Sequence, residues 1–377
     1  MTEHEFPYLT SLHVNDCYAY QDFDIPIGTG EDKPFRHLIL TGRNGSGKTT
    51  VLRGMDGVLG NEGITNPSDS NGRVWFNISK KDWIGQVQPP VYAYFEEQRR
   101  TNVDDVKAPI SEQEFAKLSS EQGLSKLLKQ FLVNKKVNQA FAMIENNTVS
   151  AGQQGKFFDE MERVFQNVFQ EEKLGLVFSQ PAYEFFIKYP DGRQATLNQL
   201  PAGYSALLGI LLELMVRVDL VQSRRGDFST SPPGIVLIDE PEAHLHLEMQ
   251  YQVMPLLTRL FPNIQFIVAT HSPAVMSSIK DATVFDLTTK EVAKDWVVGS
   301  SFSELMQTHF GLDNEFSNIA DGIMAEAQRI SDNGKSPEQK LATLRKLFSE
   351  NERYLSPGFH LAIESQIVRL EKQLETA

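Results

Sequence analysis

Gly42-Arg43-Asn44-Gly45-Ser46-Gly47-Lys48-Thr49, followed by Thr50, is the stretch from which the fold is read. It fits the phosphate-binding loop pattern G-x-x-x-x-G-K-[ST] at every fixed position. An apolar run, His37-Leu38-Ile39-Leu40, precedes it, and a helix-like stretch from Thr49 to Leu59 follows. Strand, loop and helix therefore stand in the order the pattern requires. Glycines let successive backbone N–H groups turn inward around phosphate oxygens, and the start of a helix adds the positive end of its dipole. Lys48 is placed to reach β- and γ-phosphates, and the Thr49 hydroxyl to ligate Mg²⁺. Every residue from Gly42 to Thr50 is a candidate phosphate contact.

Working outward, Gly234 to Ile238 is a continuous apolar run of the kind found in a central parallel strand. It ends in Asp239-Glu240-Pro241. Adjacent carboxylates at the end of a buried strand repel each other unless a cation is near. Asp239 is the candidate Mg²⁺ ligand, and Glu240 the candidate general base for a water. Ile264 to Ala269 is a second such run and leads into Thr270-His271-Ser272-Pro273. His271 is the candidate partner of the γ-phosphate or the water.

The whole chain has 377 residues and a formal net charge of -13, which excludes a protein that holds nucleic acid by overall charge. The basic pairs Lys80-Lys81, Arg99-Arg100, Lys135-Lys136 and Arg224-Arg225 read mostly as ordinary solvated surface. Cys17 is the single cysteine, so neither a disulfide framework nor a cysteine zinc site is available. No apolar run is long enough to span a bilayer, and the expected location is cytoplasmic, without membrane association.

Leu9 to Ile27 alternates as two short strands, and Val91 to Phe95 reads as a buried strand ending in Glu96-Glu97-Gln98. From Ser111 the pattern becomes helical. Ser111-Glu112-Gln113-Glu114 is a capping box, and apolar stripes follow at Leu124, Leu127, Leu128, Phe131 and Leu132, then at Phe158, Met161, Phe165, Val168 and Phe169. Strands return at Leu174 to Phe178 and Tyr183 to Tyr189, a long apolar helix covers Tyr204 to Val221, and Thr283 to Leu287 reads as the last strand. Ser336-Pro337-Glu338-Gln339 and Ser356-Pro357 open tail helices. In the second of these Ile363, Ile367, Leu370 and Leu374 share one face, suited to packing within the chain or to a partner helix.

Leu200-Pro201-Ala202-Gly203-Tyr204-Ser205 precedes the long apolar helix. With the two phosphate-site elements, it gives the chain its resemblance to ABC-type ATPases, whose LSGGQ-like signature occupies this place. Gly203 matches the second signature glycine, while Pro201 and Ala202 depart from the usual serine and first glycine. Glu240-Pro241-Glu242-Ala243-His244-Leu245-His246 resembles the E-P-E-x-H-L-H stretch of a soluble branch of that family. The branch includes the ATPase subunits of the OLD, Septu and retron-linked phage-defence systems and is related to RecF and SMC ATPases.

The resemblance implies an α/β fold, an ABC-type P-loop core of mixed sheet flanked by helices, with a helical insertion and a helical C-terminal tail. Residues 1–98 would form one core lobe, 99–172 the insertion, 173–300 the second lobe and 301–377 the tail. It implies ATP and Mg²⁺ as cofactors and hydrolysis of ATP sandwiched in a homodimer or higher oligomer. Lys48, Thr49, Asp239, Glu240 and His271 would come from one subunit and Gly203 from the other. Gln98 would be the Mg²⁺-sensing glutamine, and Glu242 to His246 would lie at the dimer interface. After His271 the sequence has no D-x-D pair of the kind OLD nucleases carry, so any cutting site is expected on a separate effector protein such as a nuclease. Nucleic acid remains open as a ligand. A RecF- or SMC-like role in DNA repair is the alternative, and a transporter's nucleotide-binding subunit a more distant one.

Overall fold

The computed structural model describes residues 6–17, 20–60, 74–76, 90–97, 104–122, 124–293, 297, 299, 300, 304–306, 318–332, 336–352, 355 and 357–375. They fall into two compact units, 1–300 and 301–377.

The first unit is built on a six-stranded sheet. In chain order its elements are strands β1 (Ser11–Cys17), β2 (Tyr20–Pro26) and β3 (His37–Thr41), helix α1 (Lys48–Leu59), and strands β4 (Val74–Phe76) and β5 (Val91–Phe95). Helices α2 (Glu112–Gln122), α3 (Leu128–Ile144) and α4 (Thr148–Phe169) follow. Then come strands β6 (Gly175–Ser179), β7 (Glu184–Lys188) and β8 (Gln194–Thr196). The remainder is helix α5 (Ala202–Arg225), strand β9 (Gly234–Asp239), helix α6 (Leu247–Leu260), strand β10 (Ile264–Ala269), helix α7 (Pro273–Met276), and strands β11 (Ala282–Asp286) and β12 (Glu291–Val292).

The sheet order is β12-β11-β3-β10-β9-β5, with all neighbours parallel except the β11–β12 hairpin at one edge. That short hairpin strand is absent from the sequence reading, which ended the sheet at Leu287. Two residues with only exposed side chains carry no alternation to detect.

Every residue of β3, β9, β10 and β11 is buried, which is why these strands read as mainly apolar runs. Alternate side chains serve opposite faces. Ile235, Leu237, Ile267 and Leu40 meet Val51, Leu52 and Met55 of α1 and Leu12, Val14 and Ile25 of the β1–β2 lobe. Val236, Ile238, Phe266 and Val268 meet α5, α6 and the α3–α4 hairpin through Leu207, Leu211, Met254, Leu257, Phe158 and Phe165. Each such aliphatic or aromatic side chain contributes roughly 1.5–3 kcal/mol by leaving water. Gln265 is wholly buried in the sheet yet satisfied: its amide donates to the Leu9 and Arg36 carbonyls at 2.8 Å each, and its oxygen accepts from the Leu9 N–H at 2.9 Å.

The α3–α4 hairpin is tied to the rest by ions as well as rings. Lys135, read in the sequence as solvated, is buried and pairs with Asp219 of α5 at 2.6 Å, its ammonium lying over the Phe157 ring. Lys129 pairs with Glu184 of β7 at 2.6 Å. Among the described residues, no helix is long and apolar enough to cross a membrane.

The second unit contains α8 (Asn318–Asp332), α9 (Pro337–Asn351) and α10 (Pro357–Glu375). Ser336 caps α9 by accepting from the Gln339 N–H. Ile323, Ala327, Ile330, Leu344, Leu347, Phe359 and Ile363 form its core, with Ile367 and Leu370 packed against them. The apolar face of α10 is thus used inside this unit.

Candidate functional site

Parallel register brings the carboxyl ends of four strands to one edge. Ala269 of β10 is level with both Asp239 of β9 and Leu40 of β3, and Asp286 of β11 with Thr41. Ligands of open α/β sheets bind beyond such an edge. The loops leaving it carry Gly42 to Thr49, Asp239-Glu240, Thr270-His271 and Asp286 to Thr288.

The loop after β3 turns through positive φ at Gly42 (134°), with Gly45 and Gly47 also positive. Gly42 is doubly constrained. A Cβ there would lie 2.9 Å from both the Ser46 and Thr288 hydroxyl oxygens and 3.0 Å from an Asp286 carboxylate oxygen. Thr288 accepts from the Arg43 N–H at 2.9 Å, and Asp286 accepts from the Thr288 N–H at 2.7 Å. Asp286 and Thr288 thus brace the loop from 245 residues away. Nothing local in the sequence marks them for that task.

Lys48 begins α1 and is 5% exposed, its ammonium donating to the Gly42 and Arg43 carbonyls at 3.1 and 3.4 Å. Burial pulls its pKa below the ordinary lysine value, against the opposing pull of Glu240, Asp239, Glu242 and Asp286. So many carboxylates around one cation make a site that favours a further positive charge. The first turn of α1 has no side-chain cap and no acidic residue, which leaves its N–H groups for an anion. With the Thr49 hydroxyl and the buried Asp239 carboxylate as hard oxygen donors, the set fits Mg²⁺ accompanied by phosphate. Arg43, Asn44 and Gly45 are exposed on the loop, Ser46 is buried, and Thr49 and Thr50 are half-buried.

Glu240 has a φ of 48°, rare for a non-glycine residue, and its N–H donates to the Ala269 carbonyl at 2.8 Å. Burial raises the pKa of its carboxyl above the ordinary value, and Glu242, Glu97 and Asp239 add to this against Lys48. The His271 Nε2 lies 3.8 Å from a Glu240 oxygen, too far for a direct hydrogen bond. Burial, then the Lys48 charge, holds the imidazole pKa below its usual value. The structure therefore brings together Lys48, Thr49, Asp239, Glu240 and His271. Gln98 lies outside the described residues.

Gly203 differs from its sequence reading. Helix α5 starts at Ala202, so Gly203 is in the first turn rather than in the preceding loop. It packs against the turn after β9, where a Cβ would run into the His244 carbonyl oxygen. Close approach, not backbone freedom, demands glycine. Gly203→Ala is expected to cost about 1–3 kcal/mol through this clash, read as a lowered urea midpoint; an unchanged midpoint would refute the account.

The stretch from Glu242 to His246 also divides. His244 (φ 65°) and His246 are exposed, whereas Glu242 and Leu245 are buried within the chain. Only part of it is free to meet a partner surface.

Residues 103–277 match the family model described as "AAA domain, putative AbiEii toxin, Type IV TA system", a span that holds Gly203, Asp239, Glu240 and His271. The chain is 38% identical over 90 residues to the Retron Ec83 probable ATPase of Escherichia coli, covering 23% of this chain and 16% of that protein. It is 26% identical over 143 residues to the Septu protein PtuA of Bacillus mycoides (strain KBAB4), covering 37% and 19%. The matches thus span under a fifth of the length of these curated relatives. Among solved structures, an SMC head bound to the C-winged helix domain of ScpA aligns with a TM-score of 0.40 and 16% identity, over 74% of this chain and 94% of that one. The resemblance to Septu and retron ATPases read in the sequence is borne out by these relatives.

Proposed function

We propose that this chain binds and hydrolyses ATP between two of its copies, and that the resulting closed and open dimers form a switch in antiphage defence that gates a separate effector, a nuclease. The observation that carries the reading is the gathering of Lys48, Thr49, Asp239, Glu240 and His271 at one edge of the sheet. Residues 1–98 and 173–300 act as the two lobes of the core, 99–172 as the insertion and 301–377 as a tail.

In this mechanism the N–H groups of Gly45 to Thr49 and the Lys48 ammonium hold the β- and γ-phosphates. Thr49 and Asp239 would hold Mg²⁺, which would neutralise charge on the phosphate oxygens. Glu240 accepts a proton from the water as its oxygen bonds to the γ-phosphorus and the bond to the bridging β–γ oxygen breaks, releasing ADP and phosphate. His271 hydrogen-bonds the γ-phosphate or that water and keeps it in line. Gly203 and the exposed start of α5 approach from the other copy, where unpaired N–H groups can take phosphate oxygens.

The test combines two measurements on the purified full chain. Calorimetry should show ATP binding that is lost in Lys48→Ala. Sedimentation of Glu240→Gln should show ATP with Mg²⁺ doubling the mass of the unliganded species. No affinity for ATP, or ATP binding without any change of assembly, would overturn the reading.

A further inference from the structure

Glu242 has no part in the mechanism just given, yet it is 9% exposed and lies three residues beyond Asp239. One oxygen, Oε1, accepts three hydrogen bonds from a single loop: from the Thr270 hydroxyl, from the His271 N–H at 2.9 Å and from the Ser272 N–H at 3.1 Å. The Ser272 N–H also reaches the Thr270 hydroxyl oxygen at 2.9 Å. The Ser272 hydroxyl donates to the Gln250 side-chain oxygen at 2.7 Å, and the Gln250 amide donates to the Leu245 carbonyl at 2.9 Å. The network therefore starts and ends in the turn that follows β9. Its other carboxylate oxygen, Oε2, is buried without a partner among the described residues.

A buried carboxylate is costly unless donors converge on it, and donors left without an acceptor are costly in turn. The loop Thr270-His271-Ser272 cannot drift from the turn after β9 without breaking three bonds to one oxygen. His271 is thereby held at a fixed distance from Glu240, which begins that same turn. We infer that Glu242 is a positioning residue: by gripping the backbone on both sides of His271, it keeps the imidazole and the Glu240 carboxylate aimed at one reacting water. This inference rests on the hydrolytic reading above and concerns how that site is kept in register within one subunit. It also accounts for the second acidic residue of Glu240-Pro241-Glu242, which binds neither phosphate nor metal in the mechanism.

The experiment is a double-mutant cycle on the full chain, with steady-state turnover and equilibrium ATP affinity both measured. Glu242→Met keeps the length and removes the acceptor. It should lower kcat by about tenfold or more and leave ATP affinity within about twofold, as expected for an outer-shell orienting group. Glu242→Gln retains an oxygen able to take the three donors and should restore most of the loss. In a His271→Ala background, Glu242→Met should cause a clearly smaller further loss, because most of its effect passes through the histidine and only its charge beside Glu240 acts directly. Should the methionine variant fail to fold, Glu242→Asp, which withdraws the carboxylate by one methylene, enters the same cycle with the same expected sign. Equal losses in both backgrounds, or normal kcat in Glu242→Met and Glu242→Asp, would overturn the inference while leaving hydrolysis intact. Absence of turnover in the unmodified chain would overturn both readings together.

Discussion

Glu240→Gln is expected to lower ATP turnover by about a hundredfold or more while ATP still binds, since general-base catalysis contributes on the order of 10²–10⁴. Glutamine preserves the size of the side chain and removes its basicity. The backbone at this position is strained at φ 48° and anchored by the N–H to the Ala269 carbonyl, so the substitution changes chemistry rather than placement. Burial first, then Glu242, Glu97 and Asp239, raises the carboxyl pKa, with Lys48 opposing the rise. Single-turnover hydrolysis beside equilibrium binding measures the effect. Normal turnover in the variant would remove Glu240 from the role of base.

Lys135→Met is expected to destabilise the first unit by about 3–5 kcal/mol, the usual result of removing one partner from a buried ion pair. The side chains of Lys135 and Asp219 are 7% and 10% exposed and meet at 2.6 Å. Burial already raises the Asp219 carboxyl pKa, with Lys135 opposing the rise. Without the lysine that opposition vanishes and a bare charge is left between α3 and α5. The sign with pH follows: a raised folded-state pKa means the native state takes up a proton more readily than the unfolded chain. The deficit of Lys135→Met should therefore shrink as pH falls and Asp219 becomes neutral. The double variant Lys135→Met/Asp219→Leu should recover most of the lost stability, because a buried pair and its apolar replacement are often near equal. Urea unfolding of the unmodified protein and both variants at two pH values decides the matter. An undiminished midpoint in Lys135→Met would show that the pair carries no such cost.

Much of the core was legible because its signals are local. A glycine-rich loop between an apolar run and a helix, and mainly apolar runs ending in Asp239 and Ala269, each fit within about a dozen residues. The helix starts at Ser111 and Ser336 were legible for the same reason, and both serines accept from the N–H three residues on. What escaped depends on residues brought together over long stretches of chain. Thr288 braces Arg43 across 245 positions, and Lys135 finds Asp219 across 84. No periodicity records either pairing, so a buried lysine looked like a surface one. Gly203 and Glu242 were singled out through family resemblance alone. Their physical reasons, a close backbone approach and a three-donor carboxylate, exist only once the turn after β9 is folded.

The order of strands in the main sheet bears on how this chain can be made. Leu38 and Ile39 sit between Ile267 and Val268 on one side and Thr283 and Val284 on the other. As the polypeptide leaves the ribosome, the strand that leads into the glycine loop has no neighbour until β10 (Ile264–Ala269) has emerged, and lacks its second until β11 (Ala282–Asp286) follows. Closing so long a connection is slow and exposes apolar segments meanwhile. The β1–β2 ribbon and the α3–α4 hairpin pair elements close in sequence and are free to form early. Nucleotide gripping is then a late event of biosynthesis, and a nascent chain stalled before β10 should be unable to hold ATP however long it waits.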